Sequence, residues 1–137
     1  KALAGRVMNR VWPSFSIPSG LDPNGVSRID RVVQKYIHDP LVFATTTAGW
    51  FQEALAAMDD TLDRAPELAQ PFLFVVAGDD KLVDPRATEE LFHRMGSGDR
   101  EMELYPELYH EVLNERDWED IARRIIDWME RERGRES

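Results

Sequence analysis

The chain has 137 residues, 26 acidic and 17 basic, giving a net charge of −9, enough for one domain of ordinary size and too little for two. Its basic residues are dispersed, and Arg131, Arg133 and Arg135 alternate with acids, which argues against a nucleic-acid partner because phosphate contacts need clustered lysine and arginine. Without cysteine there is no disulfide, thiolate metal site or cysteine nucleophile, a composition that fits a reducing, cytoplasmic location. No apolar run approaches the ~20 residues of a membrane span, and no signal-peptide pattern opens the chain.

The chain starts at Lys1 inside a helical pattern, which points to a processed or truncated product. Ala2, Leu3, Val7, Met8, Val11 and Trp12 recur at helical spacing until Pro13 stops them. Pro18, Gly20, Pro23 and Gly25 then mark a loop. Ser27 is expected to cap a short helix, with Asp30 as its capping-box partner three residues on. Ile29, Val32, Val33, Tyr36 and Ile37 form that helix's apolar stripe, and Asp39-Pro40 ends it.

From about residue 50 the pattern is regular. Phe51, Leu55, Met58 and Leu62 share one face of a helix that ends near Pro66. Pro71 to Gly78 is a continuous apolar run, as expected of a strand buried on both faces of a parallel sheet. Asp84-Pro85 opens a helix whose Ala87, Leu91, Phe92 and Met95 face inward and which Gly96 closes. Met102, Leu104 and Tyr105 make a shorter strand. Trp118, Ile121, Ala122, Ile125, Ile126 and Met129 make a strong amphipathic helix. Helix and strand alternate, so the fold class is α/β with a parallel sheet. Two strands cannot stabilise such a sheet alone, and this chain supplies too few neighbours for the Phe72–Ala77 strand.

In open α/β sheets the functional side chains gather beyond the carboxyl ends of the strands. After the first strand comes Gly78-Asp79-Asp80-Lys81-Leu82-Val83-Asp84-Pro85, and after the second Tyr105-Pro106-Glu107-Leu108-Tyr109-His110-Glu111. Adjacent parallel strands would set a carboxylate from the first loop beside His110. That is the acid–base pair of a hydrolase, in which the carboxylate orients the imidazole and stabilises its protonated form. The carboxylate precedes the histidine, as the α/β-hydrolase order of serine, acid, histidine requires.

On these residues the chain resembles the monoacylglycerol lipase and serine aminopeptidase-type (lysophospholipase-like) family of α/β-hydrolases. The resemblance rests on Asp39-Pro40-Leu41-Val42, on Ala77 to Pro85 and on Leu104 to Glu115, with the opening Val11-Trp12-Pro13 and Ile17 to Pro23 beside them. It implies a partial α/β-hydrolase fold: residues 1–49 as a helical cap or lid segment, and residues 50–137 as the C-terminal part of the core. It implies Asp80 as the catalytic acid, His110 as the catalytic base and Leu82 near the acyl pocket. The implied substrate is a lipid or small ester, hydrolysed through an acyl-enzyme without metal or organic cofactor. The family's Gly-x-Ser-x-Gly elbow and its His-Gly oxyanion segment lie upstream and do not occur here. None of Ser14, Ser16, Ser19, Ser27, Ser97 and Ser137 sits in a strand–turn–helix elbow, so the chain is expected to be inactive alone.

Other readings stand beside this one. Asp79 is the fallback acid, and Asp79 and Asp84 are ordinary candidates for a turn or a helix cap. A metal site of Asp79, Asp80 and Asp84 is disfavoured, because their spacing does not match a calcium loop. His93 reads as a surface or boundary residue and His38 as support for the turn at Asp39-Pro40. The N-terminal apolar stripe is expected to pack on the domain rather than meet a membrane, given the negative charge. The expected partner is a missing N-terminal half, or a second copy joined through the open sheet edge. The competing functions are a non-catalytic binding or oligomerisation module and another α/β-hydrolase chemistry, such as peptidase or dehalogenase.

Overall fold

The computed structural model describes Trp12 and residues 14–135; the apolar stripe of Leu3, Val7, Met8 and Val11 lies outside them. Strand β1 (Ser16–Pro18) pairs antiparallel with β2 (Thr45–Thr47), a ribbon that the turn-rich sequence did not announce. Three β-branched threonines favour the extended backbone of β2, and Pro18 is tolerated because it ends a strand that is paired on one side only. Helix α1 (Asp30–His38) lies between the two strands in sequence, with Val33 buried.

The expected capping box is absent. The residue before α1 is Ile29, whose side chain caps nothing. Ser27 instead accepts the Ile29 N–H at 3.1 Å and donates its hydroxyl to the Asn114 carbonyl at 3.0 Å. Its hydroxyl is thus committed to a residue far along the chain, which no local spacing reveals.

Helix α2 (Ala48–Arg64) starts at Thr47, whose side chain accepts the Trp50 N–H at 3.1 Å. Phe51, Leu55 and Met58 share a face as their spacing requires, yet all three are exposed.

Strands β3 (Phe72–Ala77) and β4 (Arg100–Tyr105) are parallel and in register from Phe72 opposite Arg100 to Ala77 opposite Tyr105. They are joined through α3 (Pro85–Arg94), which packs on one face of the pair, where Phe92 meets Phe74 edge-on at 5.7 Å. Helix α4 (Trp118–Arg135) covers the other face, where Ile121 packs with Ala77 and Leu108 in the core and Ile125 lies against them. Arg124 of α4 bridges Glu101 and Glu103 of β4, at 2.7 Å each. The sheet therefore has helices on both faces, but among the described residues it contains only two strands. Sheets of that size are marginal without further neighbours. No helix of the described residues is long and apolar enough to cross a membrane.

Two expectations for α3 need correction. Ala87 is exposed rather than inward-facing, while Phe92 is the side chain that meets the sheet, at Phe74. Gly96 does not close the helix in a left-handed conformation, since Gly20 is the one described residue with positive φ. It is glycine because a Cβ there would stand 2.0 Å from the Pro66 carbonyl oxygen, where the chain end of α2 crosses behind it.

Candidate acid–base site

The loops after β3 and β4 continue to touch beyond the end of the sheet. The Gly78 N–H donates to the Tyr105 carbonyl at 2.8 Å, and the Asp79 N–H donates to the Leu108 carbonyl at 3.1 Å. A side chain at Gly78 would put Cβ 2.7 Å from Pro106 Cα and force the loops apart.

This closeness brings Asp80 and His110 together, 30 residues apart in sequence, with Nδ1 of His110 2.8 Å from Oδ2 of Asp80. The other carboxylate oxygen, Oδ1, accepts the N–H groups of Leu82 at 2.8 Å and Val83 at 3.0 Å. The Asp80 side chain is 7% exposed and that of His110 41%, so the acid is sheltered while the imidazole opens outward. With a carboxylate on Nδ1, the ring proton sits there and Nε2 carries the free lone pair.

Burial pushes the Asp80 carboxyl up, but the His110 hydrogen bond, the two backbone N–H groups and the His110 charge together hold it below the ordinary value of 3.8. A carboxylate depressed in the folded state contributes stability above its unfolded pKa and loses it as pH falls through the folded value. We expect the Tm difference between the full-length protein and its Asp80→Asn variant to be constant near neutrality and to shrink on acidification below about pH 4. A difference independent of pH down to acid unfolding would show that Asp80 is not held as an anion.

His110, Leu82 and Val83 line a groove of about 750 Å³ together with the apolar side chains of Phe43, Trp50, Phe51, Leu55 and Met58. The exposed face of α2 is therefore the lining of a concave surface. Leu82, singled out in the sequence, is at the groove beside the acid–base pair.

The remaining candidates are engaged elsewhere. Asp79 pairs with Lys81 and Asp84 caps α3 by accepting the Arg86 N–H at 3.0 Å, so the three neighbouring acids turn to separate partners rather than to a common point. His93 is exposed on α3 against Phe92. His38 is exposed as well, its Nδ1 2.7 Å from the Gln34 carbonyl of its own helix, so it supports the end of α1 and not a turn into the core. Carboxylates of Asp99, Glu101 and Glu132 also converge, but Arg131 and Arg135 already bond them.

Two charged residues that sequence reasoning did not single out lie in the segments whose backbones meet at Val26 and Glu111. Glu115 is fully buried and accepts from Arg28 twice, through the backbone N–H at 2.8 Å and Nε at 3.0 Å. A charged pair separated by 87 positions has no signature in local spacing.

Helices on both faces of a parallel sheet, with functional side chains beyond the strand ends, are the layout of the α/β-hydrolases. The family model described as serine aminopeptidase, S33, matches residues 1–117, and the chain belongs to that family. It is 30% identical over 120 residues to the phospholipase YtpA of Bacillus subtilis, covering 87% of this chain and 46% of that protein. It is 30% identical over 125 residues to the monoacylglycerol lipase of Mycolicibacterium smegmatis, covering 90% of this chain and 44% of that one. The solved monoacylglycerol lipase of Paleococcus ferrophilus superposes with a TM-score of 0.89 at 26% identity, over 95% of this chain and 51% of that structure. The chain is thus monoacylglycerol-lipase-like and spans about half the length of these relatives.

Proposed function

We propose that the full-length protein is a serine esterase acting on a monoacylglycerol-like lipid, and that this chain contributes its acid and its base. The observation that carries the reading is the 2.8 Å contact between His110 Nδ1 and Asp80 Oδ2 at the rim of an apolar groove. His110 Nε2 takes the proton of a serine hydroxyl that comes from outside this chain, and the serine oxygen attacks the ester carbonyl. The imidazolium then protonates the leaving alcohol. In the second half-reaction His110 activates water, which releases the fatty acid and frees the serine. Asp80 orients the ring and stabilises its charge throughout. Leu82 and the apolar face of α2 hold the acyl chain. The chemistry needs no metal or organic cofactor.

In this reading residues 1–49 form the cap and residues 50–137 the C-terminal part of the core. The chain alone lacks the nucleophile and is inactive, and the protein works in the cytoplasm. The likeness to monoacylglycerol lipases in sequence and structure supports this substrate class. A substrate panel on the full-length protein tests it. Monoacylglycerols should turn over faster than phospholipids, peptide amides and haloalkanes. Preference for a phospholipid or a peptide would transfer the same pair of residues to that chemistry. Absence of any hydrolysis would leave the second reading, a non-catalytic module, which the two-stranded sheet and the exposed face of α2 favour.

A further inference from the structure

The two members of the acid–base pair are anchored differently. Asp80 is held by its own loop, through Leu82 and Val83. Among the described residues the His110 side chain has one bond, to Asp80, and is 41% exposed, so its position depends on the backbone that carries it. That backbone is fastened to residues 25–28, which precede α1. The Glu111 N–H donates to the Val26 carbonyl at 2.9 Å, and the His110 N–H makes a long contact of 3.5 Å with the Gly25 carbonyl. The Ser27 hydroxyl donates to the Asn114 carbonyl at 3.0 Å. At the base of this seam lies the Arg28–Glu115 pair, with Glu115 at 0% exposure.

We propose that Glu115, gripped by Arg28, is a positioning residue for His110: the buried pair fixes the loop 110–115 against residues 25–28 and so holds the imidazole in reach of Asp80. The inference rests on the esterase reading for its kinetic consequences but not for its geometry. A fully buried carboxylate is tolerable only with its partners in place, and removing one of them leaves an uncompensated charge. Such a pair contributes definition of one arrangement more than net stability. A small displacement of a general base suffices to slow proton transfer.

The test uses the full-length protein. Glu115→Gln is isosteric and leaves an oxygen for the Arg28 N–H, but weakens the grip on Nε. We expect kcat to fall about tenfold to a hundredfold with KM little changed. Arg28→Lys, which retains the backbone bond and the positive charge, should fall less than Arg28→Met. In the double variant Arg28→Met/Glu115→Gln neither charge is left uncompensated. Tm should therefore recover relative to Arg28→Met, while kcat should not. A double variant with wild-type kcat, or losses of kcat that merely follow the folded fraction, would reduce the pair to a structural element and overturn the inference. The nitrogen-15 resonance of His110 Nδ1 reads the contact with Asp80 without any substrate. Its shift should move in Glu115→Gln, and an unchanged resonance overturns the proposal. If the wild type shows no esterase turnover, the functional reading fails on its own and the resonance still decides this one.

Discussion

Asp80→Asn in the full-length protein is expected to lower esterase turnover by about 10⁴-fold, and His110→Ala by at least as much. The size of the first effect follows from how the carboxylate is held. Oδ1 accepts two backbone N–H groups, from Leu82 and Val83. An asparagine can keep both bonds only by leaving its carbonyl oxygen in that place. Its amide nitrogen then faces His110 Nδ1, where the carboxylate oxygen stood at 2.8 Å. An N–H₂ group donates, so Nδ1 must accept and the ring proton moves to Nε2. The nitrogen facing the groove then has no lone pair with which to take the serine proton. The substitution thus changes the tautomer while leaving volume and fold nearly intact, and KM should hardly move. Steady-state assays on a soluble ester measure this. Turnover retained in either variant would end the assignment of the pair.

Ile121→Ala is expected to cost about 3 kcal/mol of folding stability. Ile121 is 1% exposed and packs with Ala77 and Leu108, with Val75, Tyr105, Val112 and Ile125 around them. Truncation removes several buried methyl and methylene groups and leaves a space that Ala77 is too small to fill. The surrounding strands are fastened by their own hydrogen bonds, so the gap closes only in part. Ala77 leads directly into Gly78, Asp79 and Asp80, and Leu108 stands two residues before His110. The same contact therefore sits beneath both loops of the site. Denaturant titration should show a lower midpoint with an unchanged slope. A loss well under about 1 kcal/mol would mean that α4 does not anchor the strand ends.

The elements that position the site were legible because each depends on residues close in sequence. The run from Phe72 to Ala77 has strand length and no polar interruption, and Trp118, Ile121 and Ile125 repeat at helical spacing. Alternation of helix and strand implied parallel pairing, and the carboxyl-end rule then selected the loops that carry Asp80 and His110. The choice of Asp80 over Asp79 came from resemblance. Local composition does not distinguish them, and only the folded loop shows Asp79 turned to Lys81 and Asp80 to His110.

Other features were decided by tertiary contact alone. Ser27 looks like a helix cap in isolation, yet its hydroxyl is directed to Asn114 by a segment 87 residues away. Gly96 resembles a helix terminator, and it is the crossing of the Pro66 carbonyl that excludes a side chain there. Arg28 and Glu115 are two unremarkable charges among many until the fold buries one against the other. The apolar face of α2 was readable as a face, but its role as a groove wall was not, because periodicity says which residues share a side and never what lies opposite. The sequence by itself determined the α/β alternation and where an acid and a base would emerge. The tertiary structure decided which aspartate meets His110 and which contacts fasten the loop that carries it, because those contacts join residues whose separation along the chain leaves no periodic trace.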